Sequence, residues 1–326
     1  MEFEKKTAID AVLKAARLCQ QVQSDLAHTD SIEKDDRSPV TVADFGSQAL
    51  ICQAICDAFP GDAIMAEENS SELSENPLLL ERVANYVNRF SQASTAQVCD
   101  WLNRGNGEAC ERFWTLDPID GTKGFLRNRQ YAIALALIVD GEVRLGVLAC
   151  PNLPHTWGCS GAELGSLLVA IQGSGAYMHA LDGHVLKQIQ VADTPLRFAE
   201  SHVSAHGDCN AHVELAQNLD ITEPSIRIDS QAKYGLLARG EVSAYIRLPN
   251  PKTPDYRERI WDHAAGIIVV DEAGGKVTDA EGKSLNLLQG KQMTANRGIL
   301  ATNGKLHNRM LEGIRGLKHA DTQPLF

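Results

Sequence analysis

The pattern of hydrophobic and polar positions begins with a long amphipathic helix. Apolar residues recur at helical spacing at Phe3, Ile9, Val12, Leu13, Ala16, Cys19 and Val22. A charged stretch follows at 30–37, and the proline after Ser38 disfavours helix at that serine. A second helix is predicted at 43–59, because Pro60-Gly61 can end it, and a short apolar strand is predicted at 63–67.

The middle of the chain predicts two helices followed by strands joined by tight turns. Residues 70–110 contain the two helices and no chemical motif. A buried strand is predicted at 112–116, and Asp140-Gly141 has the composition of a hairpin turn. The other predicted strands are 131–139, 142–150, 155–159, 166–172 and 175–179.

The C-terminal third alternates strands with helices. Strands are predicted at 227–229, 243–248, 276–279 and 299–302, and helices at 231–239, 261–273 and 305–317. The hairpins in the first part of the chain predict an α+β domain, and the alternation of strands with helices in the last part predicts an α/β domain. We place these two domains at 1–185 and 186–326.

Composition and charge exclude several classes of protein. The chain has 326 residues and a formal net charge of −11, which argues against a surface for a nucleic-acid polymer. No apolar run has the length of a membrane span, and the N-terminus has no signal-peptide core, so we expect a cytoplasmic protein. A removed organelle-targeting peptide is left open. The scattered cysteines predict reduced thiols, and helical geometry disfavours a Cys52–Cys56 disulfide.

The segment 114–125, Trp-Thr-Leu-Asp-Pro-Ile-Asp-Gly-Thr-Lys-Gly-Phe, has the chemistry of a metal and phosphate site. Asp117, Asp120 and the Ile119 carbonyl offer three oxygen ligands on one turn, which suits a hard cation such as Mg²⁺. The N–H groups of Gly121 and Thr122 would stand at a helix N-terminus, where an anion is stabilised. The alternative is an ordinary turn in which Asp117 caps the helix and Asp120 faces water.

Two distant segments supply further carboxylates. Glu67 and Glu68 end a predicted strand, and Asp262 is placed in the first turn of the helix 261–273. Acids at strand ends and helix starts can converge on one site. Adjacent metal and phosphate sites are what metal-assisted phosphoester hydrolysis requires.

These segments carry a family resemblance over nearly the whole chain. Glu67-Glu68, Asp-Pro-Ile-Asp-Gly-Thr at 117–122 and Trp-Asp-His-Ala-Ala-Gly at 261–266 resemble the lithium-sensitive, Mg²⁺-dependent phosphatases of the inositol monophosphatase superfamily. The segments 38–44, 123–127, 229–234 and 256–262 are similar to those of the 3′(2′),5′-bisphosphate nucleotidases of fungi and plants. The resemblance implies a five-layer αβαβα sandwich with the active site between its two halves.

The resemblance also implies metal and catalytic roles. Two or three Mg²⁺ ions would be held by Glu67, Asp117, Ile119 through its carbonyl, Asp120 and Asp262. Asp44 with Thr122 would accept the proton of the attacking water. An acid in the first turn of a helix is favourable in any case, so the residues alone leave Asp44 open between catalysis and helix capping.

Nucleotide recognition is likewise implied by matching motifs. The substrate-binding residues would be Gly121, Thr122, His206, Ser230, Lys233, Arg247 and Asp262. Arg247 fits a phosphate contact through its planar guanidinium. The loop around His206 lacks the second histidine that the family usually has, and His263 is expected to serve packing because it points away from its neighbour Asp262.

The expected activity is removal of the 3′-phosphate of adenosine 3′,5′-bisphosphate, giving AMP, within sulfur metabolism. Its sulfated precursor is a further candidate substrate, and a monomer is favoured. One alternative is an inositol 1,4-bisphosphate phosphatase, which Lys123 and the pair Ser230 and Lys233 disfavour. The other is a non-catalytic nucleotide sensor, which should have lost a metal carboxylate.

Overall fold

The computed structural model describes residues 1–25, 31–33, 39–202, 209–250 and 252–317. Its helices are Glu2–Asp25 (α1), Val42–Ala58 (α2), Ser71–Glu75 (α3), Pro77–Val87 (α4), Thr95–Asn103 (α5), Thr122–Leu126 (α6), Cys209–Asn218 (α7), Ala232–Ala238 (α8), Ala264–Glu272 (α9) and His307–Gly316 (α10). The strands of the N-terminal part are Ser31–Glu33 (β1), Pro39–Thr41 (β2), Ala63–Ala66 (β3), Arg112–Asp120 (β4), Ala132–Val139 (β5), Glu142–Pro154 (β6), Leu164–Ile171 (β7), Gly175–Ala180 (β8) and Val185–Ile189 (β9). The later strands are Phe198–Glu200 (β10), Ile226–Arg227 (β11), Ala244–Arg247 (β12), Lys276–Thr278 (β13) and Ile299–Thr302 (β14).

Two mixed sheets organise these elements. The larger has seven strands in the order β3-β4-β5-β6-β7-β8-β9, with β3 and β4 parallel and the other neighbours antiparallel. The smaller has five strands in the order β11-β10-β12-β14-β13, with β10 parallel to both of its neighbours. Strands β1 and β2 form a separate antiparallel pair.

Helices cover both sheets and fill the space between them. Helices α1 and α2 pack on the larger sheet, while α8 and α9 lie between the sheets and contact strands of the smaller one. Leu215 of α7, Leu219 just after it and Met310 of α10 pack against Phe198 and Leu300 on the far face of the smaller sheet. The layers therefore alternate as an αβαβα sandwich, which confirms the predicted fold class.

The position of each helix explains its hydrophobic pattern. Helix α1 has one buried face, whereas most of α2 is buried because α1, α4, α5 and strand β4 surround it. Helix α9 is apolar on every side because it lies between two sheets. A helix that is hydrophobic all round is typical of a fully buried position.

The structure corrects several predicted boundaries. Residues 70–110 hold three helices, and no strand forms at 155–159. Strand β4 continues past 116 to Asp120, because a register shift between Asp117 and Asp120 accommodates Pro118, which has no N–H for the ladder. The helix predicted from 261 begins at Ala264, so Asp262 precedes it rather than lying in its first turn.

Other predictions concern domains, cysteines and membranes. The division at 185/186 remains a prediction; strand β9 belongs to the larger sheet, and the smaller sheet begins with β10. The seven cysteines at 19, 52, 56, 99, 110, 150 and 159 are free, and burial raises the pKa of the Cys52 thiol. None of the helices in the described part of the chain has both the length and the apolar character needed to cross a membrane.

We predict that Gly266→Ala will destabilise the middle layer. An added Cβ at Gly266 would lie 2.2 Å from Tyr234 Cδ2, so α8 and α9 would have to separate. Such overpacking lowers the free energy of unfolding by about 1–3 kcal/mol. Denaturant unfolding followed by circular dichroism measures the change. Gly61→Ala is the control because nothing lies within 4 Å of its added Cβ; equal stability of the two variants would contradict the packing account.

Candidate active site

The end of strand β4 is the centre of the candidate site. Asp117 pairs with Ala134 and Asp120 with Ala132, and the bulge between them turns the chain towards α6. Ser47 Oγ donates to the Pro118 carbonyl at 3.1 Å, which ties this bulge to α2. Gly121 then caps the five-residue helix α6 with φ of 90°, a left-handed conformation that favours glycine.

Asp117 is a predicted metal ligand whose charged form is disfavoured by its surroundings. It is 2% exposed, and its Oδ1 accepts no hydrogen bond from any described residue. Burial raises the pKa of the Asp117 carboxyl well above its usual value, and the negative charges of Glu67, Asp120 and Asp262 raise it further. Carboxylates from three distant segments therefore meet around this residue, as the sequence predicted.

Strand β3 brings Glu67 alongside β4. Because β3 is parallel to β4 and pairs with it up to Ala66 and Leu116, Glu67 follows at the same end of the sheet as Asp117. Gln48 of α2 fixes this strand end: its Nε2 donates to the Glu68 carbonyl at 2.6 Å, and its Oε1 accepts the Glu68 N–H at 2.9 Å. Glu68 is buried, so it is not a solvated acid.

Gln231 connects two of the segments that carry acids. Its backbone N–H donates to Asp120 Oδ2 at 2.5 Å, and its Nε2 donates to the Trp261 carbonyl at 2.8 Å. Its Oε1 accepts the Gly266 N–H at 3.1 Å. Gln231, which is 2% exposed, thus joins the end of β4 through its backbone to Trp261 and Gly266, on either side of Asp262, through its side chain.

Asp120 lies beside positive charge as well as negative charge. Burial raises its pKa to about 6, although Lys233 and Arg247 act in the opposite direction. Lys233 is 4% exposed, and burial lowers its pKa to about 8 while the charge of Asp120 raises it. Its Nζ donates to the Ile228 carbonyl at 3.3 Å and lies 5.1 Å from the centre of the Tyr245 ring.

Asp44 caps helix α2 and also faces Thr122. At position N3 of α2 it completes a capping box, in which its Oδ2 accepts the Thr41 N–H at 2.8 Å and the Thr41 hydroxyl at 2.5 Å. Its Oδ1 lies 3.4 Å from Thr122 Oγ1, which is also 3.2 Å from the Ile119 carbonyl oxygen. The cap therefore holds one carboxylate oxygen while the other faces the predicted catalytic hydroxyl.

Ser230 faces the turn that follows β4. It adopts a left-handed φ of 69°, and its Oγ accepts the Ala232 N–H at 3.2 Å. Its Cβ would lie 3.1 Å from a Cβ added to Gly121, so glycine at 121 is required by space as well as by φ. Two of the predicted substrate-binding residues are thus adjacent.

Arg247 joins a buried network that includes Asp262. Its Nη2 lies 3.0 Å from Glu258 Oε2, and its Nη1 lies 3.9 Å from Asp262 Oδ2. His263 completes the network through Tyr234 Oη at 2.8 Å and Glu258 Oε2 at 3.1 Å. His263 is fully buried, in agreement with the expected packing role.

The tightest group of potential ligands is not the predicted set. Among the described residues, Glu258, Asp262 and His263 form a group whose ligand atoms all lie within 4.8 Å of one another. Both nitrogens of His263 are engaged by Tyr234 and Glu258, and Arg247 neutralises Glu258. Glu258 and His263 are therefore engaged by other side chains, which suits them to hold Arg247 beside Asp262 rather than to bind a metal ion.

The residues around Asp117 fit a hard divalent cation. The donor set contains only oxygen atoms, from carboxylates and the Ile119 carbonyl. Asp117 Oδ1 is buried without a hydrogen-bond donor among the described residues, and its pKa is raised by like charges. A divalent cation would both coordinate this oxygen and reduce the repulsion between the carboxylates.

One predicted site residue cannot be placed, and the structure shows three supporting residues to which the sequence analysis gave no role. His206 lies outside the described residues, so its predicted role stays a prediction. The structure adds Gln48, Gln231 and Glu258; the last two lie in the motif segments 229–234 and 256–262, but the motifs gave them no role. Gln48 could have been noticed as a polar residue within an otherwise apolar helix, and a buried polar residue requires hydrogen-bond partners. Nothing in the spacing of Glu258 indicated that it would meet Arg247.

Comparison with known proteins identifies a family. A family model described as the inositol monophosphatase family matches residues 2–319. A 3′(2′),5′-bisphosphate nucleotidase of Oryza sativa is 43% identical, covering 96% of this chain and 93% of that protein. A protein of the same description from Emericella nidulans is 39% identical, covering 96% and 98% respectively. These matches confirm the resemblance drawn from the motifs.

Solved structures support the fold. The IMPase of Thermotoga maritima has a TM-score of 0.66 and 23% identity, covering 97% of this chain and 98% of its own. An inositol monophosphatase from Anabaena has a TM-score of 0.62 and 21% identity, covering 97% and 96%. At this identity the likeness concerns the fold, and it agrees with the αβαβα layers described above.

We predict that Asp117→Asn will stabilise the metal-free protein. Because the folded-state pKa of Asp117 is raised, the charged carboxylate destabilises the fold, and stability decreases as pH rises from about 4 through the folded-state pKa. The variant should melt at a higher temperature than the wild type in EDTA at pH 7, with a weaker dependence on pH. Mg²⁺ should raise the melting temperature of the wild type more than that of the variant.

Scanning calorimetry from pH 4 to 8, with and without Mg²⁺, checks both effects. Asp10→Asn is the control, since Asp10 is an exposed residue of α1 that pairs only with surface charge at Lys6. A lower melting temperature for Asp117→Asn than for Asp10→Asn in EDTA would contradict the described electrostatics.

Proposed function

The chain belongs to the inositol monophosphatase family, and we propose that it is a 3′(2′),5′-bisphosphate nucleotidase acting on adenosine 3′,5′-bisphosphate. The products are AMP and inorganic phosphate. The observation that carries the proposal is the convergence of Asp117, Asp120 and Asp262 in a chain that matches these nucleotidases over nearly its full length. The sulfated precursor of this nucleotide is a second candidate substrate of the same site.

Members of this family depend on metal ions, typically Mg²⁺. We assign two or three ions to a ligand set of oxygen donors: Glu67, Asp117, the Ile119 carbonyl, Asp120 and Asp262. Bound Mg²⁺ supplies a coordinated water of lowered pKa and neutralises negative charge on the phosphate. Lithium sensitivity is typical of the same family.

Asp44 and Thr122 remove the proton of the attacking water in this mechanism. The Thr122 hydroxyl donates to Asp44 Oδ1, which leaves a lone pair of Thr122 Oγ1 to accept the proton. The capping box holds Asp44 in place, because Thr41 occupies its other oxygen. Burial of Asp44 keeps bulk water from competing for this hydrogen bond.

The remaining assigned residues bind and orient the nucleotide. The N–H groups of Gly121 and Thr122 contact the scissile phosphate at the start of α6, and Asp262 is assigned to substrate binding as well as to the metal ions. Lys233 is largely protonated at neutral pH, since its pKa is about 8, so it attracts the anionic substrate. Ser230 and Arg247 complete the contacts, together with His206 from outside the described residues.

The proposal is tested by phosphate release from two substrates measured side by side. We expect adenosine 3′,5′-bisphosphate to be hydrolysed at least tenfold more efficiently than inositol 1,4-bisphosphate, with activity lost in EDTA and reduced by lithium. Preference for inositol 1,4-bisphosphate would agree with the assigned metal site but contradict the proposed substrate. Release from neither compound in the presence of Mg²⁺ would favour the nucleotide-sensor alternative.

We predict that Lys233→Met will lower activity on the nucleotide selectively. Methionine keeps the packing against Tyr245 but removes the positive charge. Loss of a charge-assisted contact should reduce kcat/KM for adenosine 3′,5′-bisphosphate by on the order of tenfold or more. The loss on inositol 1,4-bisphosphate should be smaller. Steady-state kinetics on both substrates measures these changes. The control is Lys187→Met, at an exposed position of β9. Equal losses of kcat/KM on the two substrates would show that Lys233 has no specific role in nucleotide recognition.

A further inference from the structure

Two amide side chains bind the segment that follows the candidate phosphate contacts. Gln23, in the last turn of α1, donates from Nε2 to the Phe125 carbonyl at 2.9 Å. Its Oε1 accepts Asn152 Nδ2 at 3.2 Å, and the same nitrogen of Asn152 donates to the Arg129 carbonyl at 2.7 Å. Gln130 Nε2 in turn donates to the Asn152 carbonyl. We call Gln23 and Asn152 the amide bracket.

Helix α6 depends on contacts outside itself. It has only five residues, and a single helical turn makes too few internal hydrogen bonds to be stable alone. The carbonyl groups at the end of any helix also need partners from elsewhere. The Phe125 carbonyl accepts the Asn128 N–H at 3.1 Å as well as Gln23 Nε2. The position of α6 is therefore set by the elements that bind it.

The bracket residues belong to two larger elements that pack against each other. Helix α1 contacts strand β6 and helix α2, and Val22, the neighbour of Gln23, is buried in that interface. Asn152 lies on β6 at the register shift between Cys150 and Pro154. A bulge of this kind changes the direction of the side chains on its strand. The bracket thus attaches α6 to the first helical layer and to the larger sheet.

Helix α6 connects the amide bracket to the candidate active site. Its first residue is Thr122, whose hydroxyl faces Asp44 Oδ1, and the N–H groups of Gly121 and Thr122 are assigned to the scissile phosphate. A helix rises about 1.5 Å per residue, so Phe125 lies roughly 4.5 Å beyond Thr122 along the axis. A shift of the Phe125 carbonyl would therefore also move the groups assigned to phosphate and to proton transfer.

We propose that Gln23 and Asn152 are positioning residues that set the location of α6, and with it the phosphate-binding N–H groups and the Thr122 hydroxyl. This inference rests on the proposed function, because it assigns the bracket to the same reaction. Both side chains act through backbone carbonyls of the segment 125–130 rather than on the substrate. Orientation matters to the rate, since a misplacement of about 1 Å can cost on the order of a hundredfold.

The test removes the bracket one side chain at a time. Gln23→Leu keeps a good helix former at this position but loses both hydrogen bonds. We expect kcat for adenosine 3′,5′-bisphosphate at saturating Mg²⁺ to fall by on the order of tenfold, with KM within about threefold of the wild type. The fall in kcat should be the same on inositol 1,4-bisphosphate, because the scissile phosphate of either substrate meets α6.

A double-mutant cycle tests whether the two residues act as one unit. Asn152→Ala should lower kcat as Gln23→Leu does, and the double variant should lose little more than the more damaged single variant. Thermal unfolding of each variant in EDTA is measured alongside the kinetics. Losses that multiply in the double variant would show that the residues act independently and would overturn the shared role.

Gln20→Leu is the matched control, because Gln20 is an exposed glutamine of the same helix. A kcat of Gln23→Leu equal to that of Gln20→Leu would overturn the positioning role while leaving the proposed function in place. A lower melting temperature with unchanged kinetics would overturn it as well, since the contacts would then be structural. A wild-type enzyme that releases phosphate from neither substrate in Mg²⁺ would overturn the proposed function and this role together.

Discussion

The structure depends on holding several carboxylates close together in a place where water cannot screen them. Asp117 is buried and has the charges of Glu67, Asp120 and Asp262 around it, so its charged form is strongly disfavoured in the metal-free protein. Neighbouring like charges repel strongly when their surroundings have a low dielectric constant. The fold tolerates this repulsion because hydrogen bonds that do not involve Asp117 hold the chain segments carrying these acids in place. The metal-free site is thereby kept ready for cations.

Two buried glutamines provide much of that support. Gln48 fixes the end of β3 beside Glu67, and Gln231 fixes the turn after β4 against the segment of Asp262. Both act on backbone groups rather than on the carboxylate of another side chain, apart from the contact of Gln231 N–H with Asp120. The acids can therefore keep their remaining oxygen atoms available for metal ions. Precise positioning by surrounding hydrogen bonds is a general requirement of metal sites.

Positive and negative side chains meet around Arg247. Its guanidinium lies 3.0 Å from Glu258 and 3.9 Å from Asp262, and the positive charges of Lys233 and Arg247 act on the nearby Asp120. Glu258 binds the guanidinium of Arg247, and His263 in turn contacts the Glu258 carboxylate. The overall negative charge of the chain does not prevent anion binding, because the local field is set by these few residues.

The sequence by itself determined the fold class and most of the chemistry. Apolar periodicity predicted α1, α2 and the hairpin of β5 and β6, and the motif 114–125 marked Asp117 and Asp120, because local spacing fixes turns and the ligands on them. The sequence did not determine where β4 ends or that Asp262 precedes α9, since Pro118 was read as a turn and the bulge depends on pairing with β5. Only the tertiary structure paired Glu258 with Arg247 and placed Gln23 beside Asn152, residues 129 positions apart. Such contacts depend on how the layers pack, and no local pattern in the chain encodes them.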